Sequence, residues 1–255
     1  MAIIQPIESF TTENPPIAKE DDDTLVPSSP LLIGGIIFPD IDQTDFTGPF
    51  EVLSRIPNSQ FLVIGKTLAP IKDVKGLILT PEVTFADTPR LDLLLIPGGA
   101  GVNALMEDPI TLDFIRKQAT GKTMVMTVCT GSLLFGAAGL LKGLRATTHW
   151  ASHHLLSSLG AIPQQERVVY DGHLISTAGV TAGFDGALLA VSLLCGEEKA
   201  MEIQLDIEYA PNPPFQSGTP ETAPPAVLKA VQKEMFSKIK SRELLIQRLK
   251  ESGQI

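Results

Sequence analysis

The chain is poor in positive charge, in cysteine and in long apolar runs, and each shortage excludes a class of protein. It has 20 Lys and Arg against 29 Asp and Glu, a net charge of −9. Nucleic-acid binding needs a basic face, and the nearest thing to one is Lys238, Lys240 and Arg242 in a mixed-charge C-terminal stretch. Two cysteines in unlike settings, Cys129 and Cys195, suggest neither a disulfide framework nor a zinc site. His149 and His153 have the i, i+4 spacing of helical metal ligands, but Trp150 stands where the metalloprotease motif has Glu. A structural or surface role is therefore expected for the cluster His149, His153 and His154, and no metal site. No apolar run is long enough to span a bilayer; even 123–141 is interrupted by Cys, Thr, Gly and Ser. The opening Met-Ala-Ile-Ile-Gln-Pro lacks a basic region and a long apolar core, so no targeting signal is expected. A soluble protein of a reducing compartment, the cytoplasm, is the expectation, without nucleic-acid or membrane partners.

What is present reads as an α/β chain. Hydrophobic residues make up 44% of the 255, ample for a core. Residues 1–30 are a separate zone of Pro, Ser, Thr and acidic residues, expected to form an extended or disordered arm. A first strand is expected over 31–38, then a helix starting near Asp45 to Thr47 with Pro49 in its first turn. Strands follow at 61–65, 92–96 and 123–128, the last two nearly unbroken in hydrophobicity, as in buried parallel sheets. Residues 66–91 read as an excursion of short strands and turns. Asp171-Gly172 marks a hairpin between 167–170 and 173–177. Helices are expected at 102–107, 109–120, 150–158, 183–195, 197–209 and about 225–250. Strands alternating with helices predict a doubly wound parallel sheet with helices on both faces and ligands at strand carboxyl ends. The domains expected are the arm, an α/β domain over 31–225 and a C-terminal helix over 226–255.

Three strand-end turns carry the chemistry. Cys129 stands between the strand at 123–128 and the apolar helical pattern from Leu133 to Leu141. At such a turn the helix dipole favours a thiolate and the sulfur can face a ligand, as in a nucleophile elbow. The plainer alternative is an inert core thiol. Cys195, just before Gly196 at a helix C-terminus, reads as packing. Pro97-Gly98-Gly99-Ala100 can supply a backbone N–H to developing negative charge, beside that of Thr130, or is simply a tight turn. Asp45 is the candidate acid/base, with an ordinary N-cap as its alternative; Asp40 and Asp42 compete for the role in a more exposed setting.

The motifs Thr44-Asp45-Phe46-Thr47-Gly48-Pro49, Ile96-Pro97-Gly98-Gly99, Val128-Cys129-Thr130-Gly131-Ser132, Arg145-Ala146-Thr147-Thr148-His149-Trp150 and Gly179-Val180-Thr181-Ala182-Gly183 resemble the ThiJ/PfpI superfamily. That is a branch of the class I glutamine amidotransferase-like, flavodoxin-type folds, and the match is nearest its isocyanide hydratases. The resemblance covers about 31–225. It implies a metal- and cofactor-independent hydro-lyase in which Cys129 is the nucleophile, Asp45 the acid/base, Thr130 a catalytic threonine, Gly99 the floor beside the reacting carbon and Val180 a pocket wall. It also implies a small isocyanide as substrate, a formamide as product and a homodimer. Thr130 stands where many protease-like relatives have His. Two alternatives remain: a glyoxalase- or deglycase-like enzyme, and a redox-sensing or ligand-binding protein.

Overall fold

A computed structural model describes residues 30–255; the expected arm over 1–30 lies, save for Pro30, outside them. In chain order the elements are β1 (Leu31–Ile36), α1 (Gln43–Leu53), β2 (Ser59–Gly65), β3 (Ile71–Lys72), β4 (Ile78–Leu79), β5 (Val83–Thr84), β6 (Leu93–Ile96), α2 (Val102–Leu105), α3 (Pro109–Gln118), β7 (Met124–Val128), α4 (Gly131–Ala137) and β8 (Arg145–Ala146). A 3-10 helix (Trp150–Leu159), β9 (Ile162–Pro163), β10 (Val168–Asp171), β11 (Leu174–Thr177), α5 (Ala182–Cys195), α6 (Glu197–Asp206) and α7 (Pro225–Glu251) follow.

Among the described residues the main sheet has seven strands in the order β10-β11-β7-β6-β1-β2-β5. All its pairs are parallel except the β10–β11 hairpin, which turns at Gly172-His173, one residue later than the expected Asp171-Gly172. Central strands buried on both faces should be apolar throughout; every residue of β6 is fully buried. Helices α1, α5 and α6 pack on one another in one layer, and α2, α3 and α4 in another, with the 3-10 helix against α4 and α7 against the 3-10 helix. The chain runs from β1 outward to β2, then returns to β6 on the other side of β1. That reversal is the switch point of a doubly wound sheet, where ligands gather at the strand carboxyl ends.

Two local expectations are corrected. The first helix starts at Gln43, earlier than expected, because Asp42 rather than Asp45 caps it by accepting the Thr44 N–H at 3.3 Å. Pro49 therefore lies inside α1, where it has no N–H for the Asp45 carbonyl. The segment expected as an ordinary short helix at 150–158 is a 3-10 helix that ends at Gly160, whose φ of +83° a glycine adopts without strain.

Candidate active site

Cys129 leaves β7 with φ +55°, left-handed for a residue that carries a side chain. Such a conformation costs about 1–3 kcal/mol and persists only where surroundings hold it. The Cys129 N–H donates to the Thr177 carbonyl at 3.2 Å, and its own carbonyl accepts from Thr148 Oγ1 at 2.6 Å. Beneath the turn, Thr127 Oγ1 and Ser132 Oγ pair at 2.8 Å, and Ser132 Oγ donates to the Thr147 carbonyl at 2.8 Å. The β-branched, hydroxyl-rich run around Cys129 thus locks the elbow from both sides.

Asp45 lies in the first turn of α1, 0% exposed. Its Oδ2 accepts the Gly98 N–H at 2.9 Å. Gly98 has no side chain because there is no room: a Cβ would sit 2.6 Å from the Thr130 N and Oγ1 and 2.8 Å from Asp45 Oδ2. Thr130 Oγ1 in turn accepts the Gly99 N–H at 3.1 Å. Both glycine N–H groups are therefore occupied, so neither is the N–H that this turn was expected to offer to a reacting anion. Asp45 Oδ1 is the one buried side-chain oxygen or nitrogen among the described residues without a hydrogen-bond partner. Such an oxygen in a native interior calls for an explanation, and a catalytic role supplies one.

A cavity of about 240 Å³ opens beside the elbow. Cys129, Thr130, Gly99 and Val180 all line it, so four of the five expected site residues meet at one place. Asp45 is not part of the lining; it sits behind the surface, coupled to Cys129. Asp42 lines the cavity half-buried, and Asp40 is exposed. Sequence reasoning missed His149 and Arg242. His149 was expected to be structural, and it does cap the 3-10 helix by accepting the Ala151 N–H on Nδ1 at 3.3 Å, but its ring also faces the cavity. His153 and His154 turn elsewhere, to the Gln164 carbonyl at 2.9 Å and Glu243 at 3.1 Å. Arg242 comes from α7, 4% exposed. Met235, Lys238 and Arg242 have helical one-face spacing in the sequence, but nothing local says what that face covers.

Burial dominates the electrostatics. The Asp45 carboxyl is pushed from 3.8 to about 8, first by burial and then by the Asp42 charge, while the Gly98 N–H and the Cys129 thiol favour the anion. The thiol does so at a geometry looser than a formed hydrogen bond, since Oδ1 has no partner; catalytic hydrogen bonds are often loose without substrate. Desolvation, rather than a neighbouring anion, is the first cause of the raised Asp45 value. Burial, and then the Asp45 charge, also push the Cys129 thiol up, against the N–H of Thr130. The expected dipole-favoured thiolate is thus corrected: a helix terminus acts over one turn, whereas desolvation acts on the whole group. Cys129 and Asp45 form a coupled pair whose proton is shared business of both. His149 is pushed down to about 4 by burial and by Arg242, so its ring is neutral at pH 7.

Residues 33–193 match the model of the DJ-1/PfpI family. The chain belongs to that family. It is 51% identical over 218 residues to an isonitrile hydratase from Pseudomonas putida, covering 86% of this chain and 96% of that protein. A glutathione-independent glyoxalase, DJR-1.2 of Caenorhabditis elegans, is 28% identical over 142 residues, 55% of this chain and 76% of its own. Among solved structures, a ThiJ/PfpI family protein from Pseudomonas syringae superposes with a TM-score of 0.84 at 34% identity, covering 93% of this chain and 99% of that one. The doubly wound α/β sheet expected from the alternation of strands and helices is present, and its flavodoxin-like type, implied by the resemblance, is the family's fold. Among the described residues no helix is long and apolar enough to cross a membrane.

Proposed function

We propose that this chain adds water to isocyanides, R–N≡C, giving N-substituted formamides, as a lyase of the hydratase class. The observation that carries the reading is the 51% identity to an isonitrile hydratase along nearly the whole of that protein. The site supplies the parts such a reaction needs. Cys129 offers a nucleophile at the wall of a small cavity, and Asp45 offers a carboxyl poised near neutral pH with one oxygen uncommitted.

In this reading the Cys129 proton passes to Asp45 as the sulfur attacks the terminal carbon of the isocyanide. Asp45 then gives that proton to the same carbon, leaving a thioimidate, R–N=CH–S. Water adds to the thioimidate carbon with Asp45 as base, Asp45 passes that proton to the nitrogen, and the tetrahedral adduct R–NH–CH(OH)–S expels the thiolate, which takes up the hydroxyl proton as the formamide R–NH–CHO leaves. Thr130 holds the Gly99 turn in place and lends its N–H to the sulfur. Gly99 and Val180 shape the wall against which the isocyanide lies. No step draws on a metal or an organic cofactor. The resemblance also supports a homodimer, which light scattering on the purified chain tests.

Formamide production over a panel of alkyl and aryl isocyanides tests the function, with Cys129→Ala as the blank. Turnover by the wild type and none by Cys129→Ala is the expected result; full activity in Cys129→Ala rules the mechanism out. A glyoxalase-like reading has one observation in its favour, the neutral His149 ring in the same cavity as Cys129. Lactate formation from methylglyoxal discriminates it. A redox-sensor reading loses ground, because oxidation follows thiolate character and exposure and Cys129 is 7% exposed with its thiol pushed up.

A further inference from the structure

The cavity is more positive than an isocyanide needs. Arg242 donates from Nε to Asn103 Oδ1 at 3.0 Å, from Nη1 to Ser152 Oγ at 3.1 Å and from Nη2 to the Gly99 carbonyl at 3.3 Å. All three acceptors are uncharged. Arg242 forms no ion pair among the described residues. A guanidinium has five N–H groups, so two are left over on a buried cation that lines the cavity. Burying an uncompensated charge is costly unless something answers it. Lys238, one turn earlier on the same helix face, lines the cavity at an exposed position and also lacks an ion pair, whereas Lys240 pairs with Glu243 at 3.1 Å.

The other cavity charges do not answer these two. Asp42 spends its carboxylate on the α1 cap and is pushed up by burial; Lys75 lies in the field of Asp42 and Asp73. His149 is neutral at pH 7. Cys129 is coupled to Arg242 but shares its proton with Asp45 before anything else. The spare positive charge therefore stands on the α7 side, in a chain whose net charge is −9. The reacting group of R–N≡C has no net charge, so the anion that this side awaits must belong to R.

We propose that the cavity takes short isocyanides whose R group bears a carboxylate, gripped by Arg242 and met at the rim by Lys238, so that the products are N-formyl carboxylates. The inference rests on the hydratase reading and names its substrate class. A planar carboxylate fits the guanidinium fork, and a cavity of about 240 Å³ favours a short chain between the two groups. All three α7 residues on the cavity lie outside residues 33–193, which match the family model.

The test compares isocyanoacetate with its neutral methyl ester on the full chain, reading the ratio of their kcat/KM values. The wild type should favour the carboxylate by about tenfold, less in high salt. Arg242→Gln and the exposed-site variant Lys238→Glu should each lower that ratio by about tenfold. An equal or inverse preference in the wild type overturns the proposal. So does an unchanged ratio in both variants, which would make Arg242 a clamp or a partner of the thiolate that acts on every isocyanide alike. Calorimetry with N-formylglycine against N-formylglycinamide separates this subsite from the chemistry. Tighter binding of the carboxylate, lost in Lys238→Glu, upholds the subsite even if no isocyanide turns over, in which case the hydratase reading alone fails. Absence of any carboxylate preference in binding overturns the subsite whatever the turnover.

Discussion

Replacing Asp45 by Asn should stabilise the protein while stopping its chemistry, and the gain should grow with pH. The Asp45 carboxyl is 0% exposed and held at about 8 instead of 3.8. A folded-state pKa above the unfolded one means that the folded chain holds a proton the unfolded chain has released. Stability from this group is thus fully present below about pH 4 and is lost as pH rises toward 8. Between 3.8 and 7 lie about three tenfold steps of 1.36 kcal/mol each, so at pH 7 the wild type gives up on the order of 4 kcal/mol. Asn keeps an acceptor for the Gly98 N–H and has no proton to take up. Its amide NH2 then occupies the position of Oδ1, which has no partner, and a buried unpaired donor costs about 1–3 kcal/mol. The net expectation is a variant about 1–3 kcal/mol more stable at pH 7, several degrees in Tm for a domain of this size. The advantage should disappear near pH 5.

Urea unfolding of both proteins at pH 5, 6, 7 and 8 reads the difference directly. His149, pushed down to about 4, makes stability fall as pH drops below 6.5, but it is present in both proteins and cancels. A difference that stays constant from pH 5 to 8, or an Asn variant that loses ground as pH rises, would refute a buried, proton-holding Asp45.

The same carboxyl predicts a pH–rate profile: kcat/KM for isocyanide hydration should climb through about pH 8 as the Asp45–Cys129 pair loses its first proton; a profile flat from pH 6 to 9 would contradict the coupling. Gly98→Ala should cost about 1–3 kcal/mol of stability in urea and most of the activity, because the new methyl would press on the Thr130 N and Oγ1 and on Asp45 Oδ2. Thr130→Val should strand the Gly99 N–H at about 1–3 kcal/mol and lower kcat, while Thr130→Ser, which keeps the hydroxyl, should restore much of both.

The strands β6 and β7 could be seen in the sequence because a strand buried on both faces must be apolar almost throughout, and the runs at 93–96 and 124–128 are, save for Thr127. The elbow could be seen for a related reason: a single cysteine interrupts the change from strand to helix, so its place at a strand end follows from its neighbours. Asp45 was visible as a residue but not as a state. Its burial depends on the Gly98 turn, 53 residues away, and on the cap passing to Asp42. His149 and Arg242 were not visible as cavity residues at all, since their helices reach the site only after the sheet has assembled.

Sequence alone settles the alternation of strands and helices, the cysteine at the end of β7 and the glycines of the turn after β6, because backbone preference and hydrophobic periodicity are local. Folding settles the rest: which carboxylate is buried, whether the thiol is held as an acid or released as an anion, and which cation faces the cavity. Those are properties of desolvation and of charges brought together across the chain. Local patterning predicted a thiolate from a helix dipole, and the packed interior set a larger, opposite force against it.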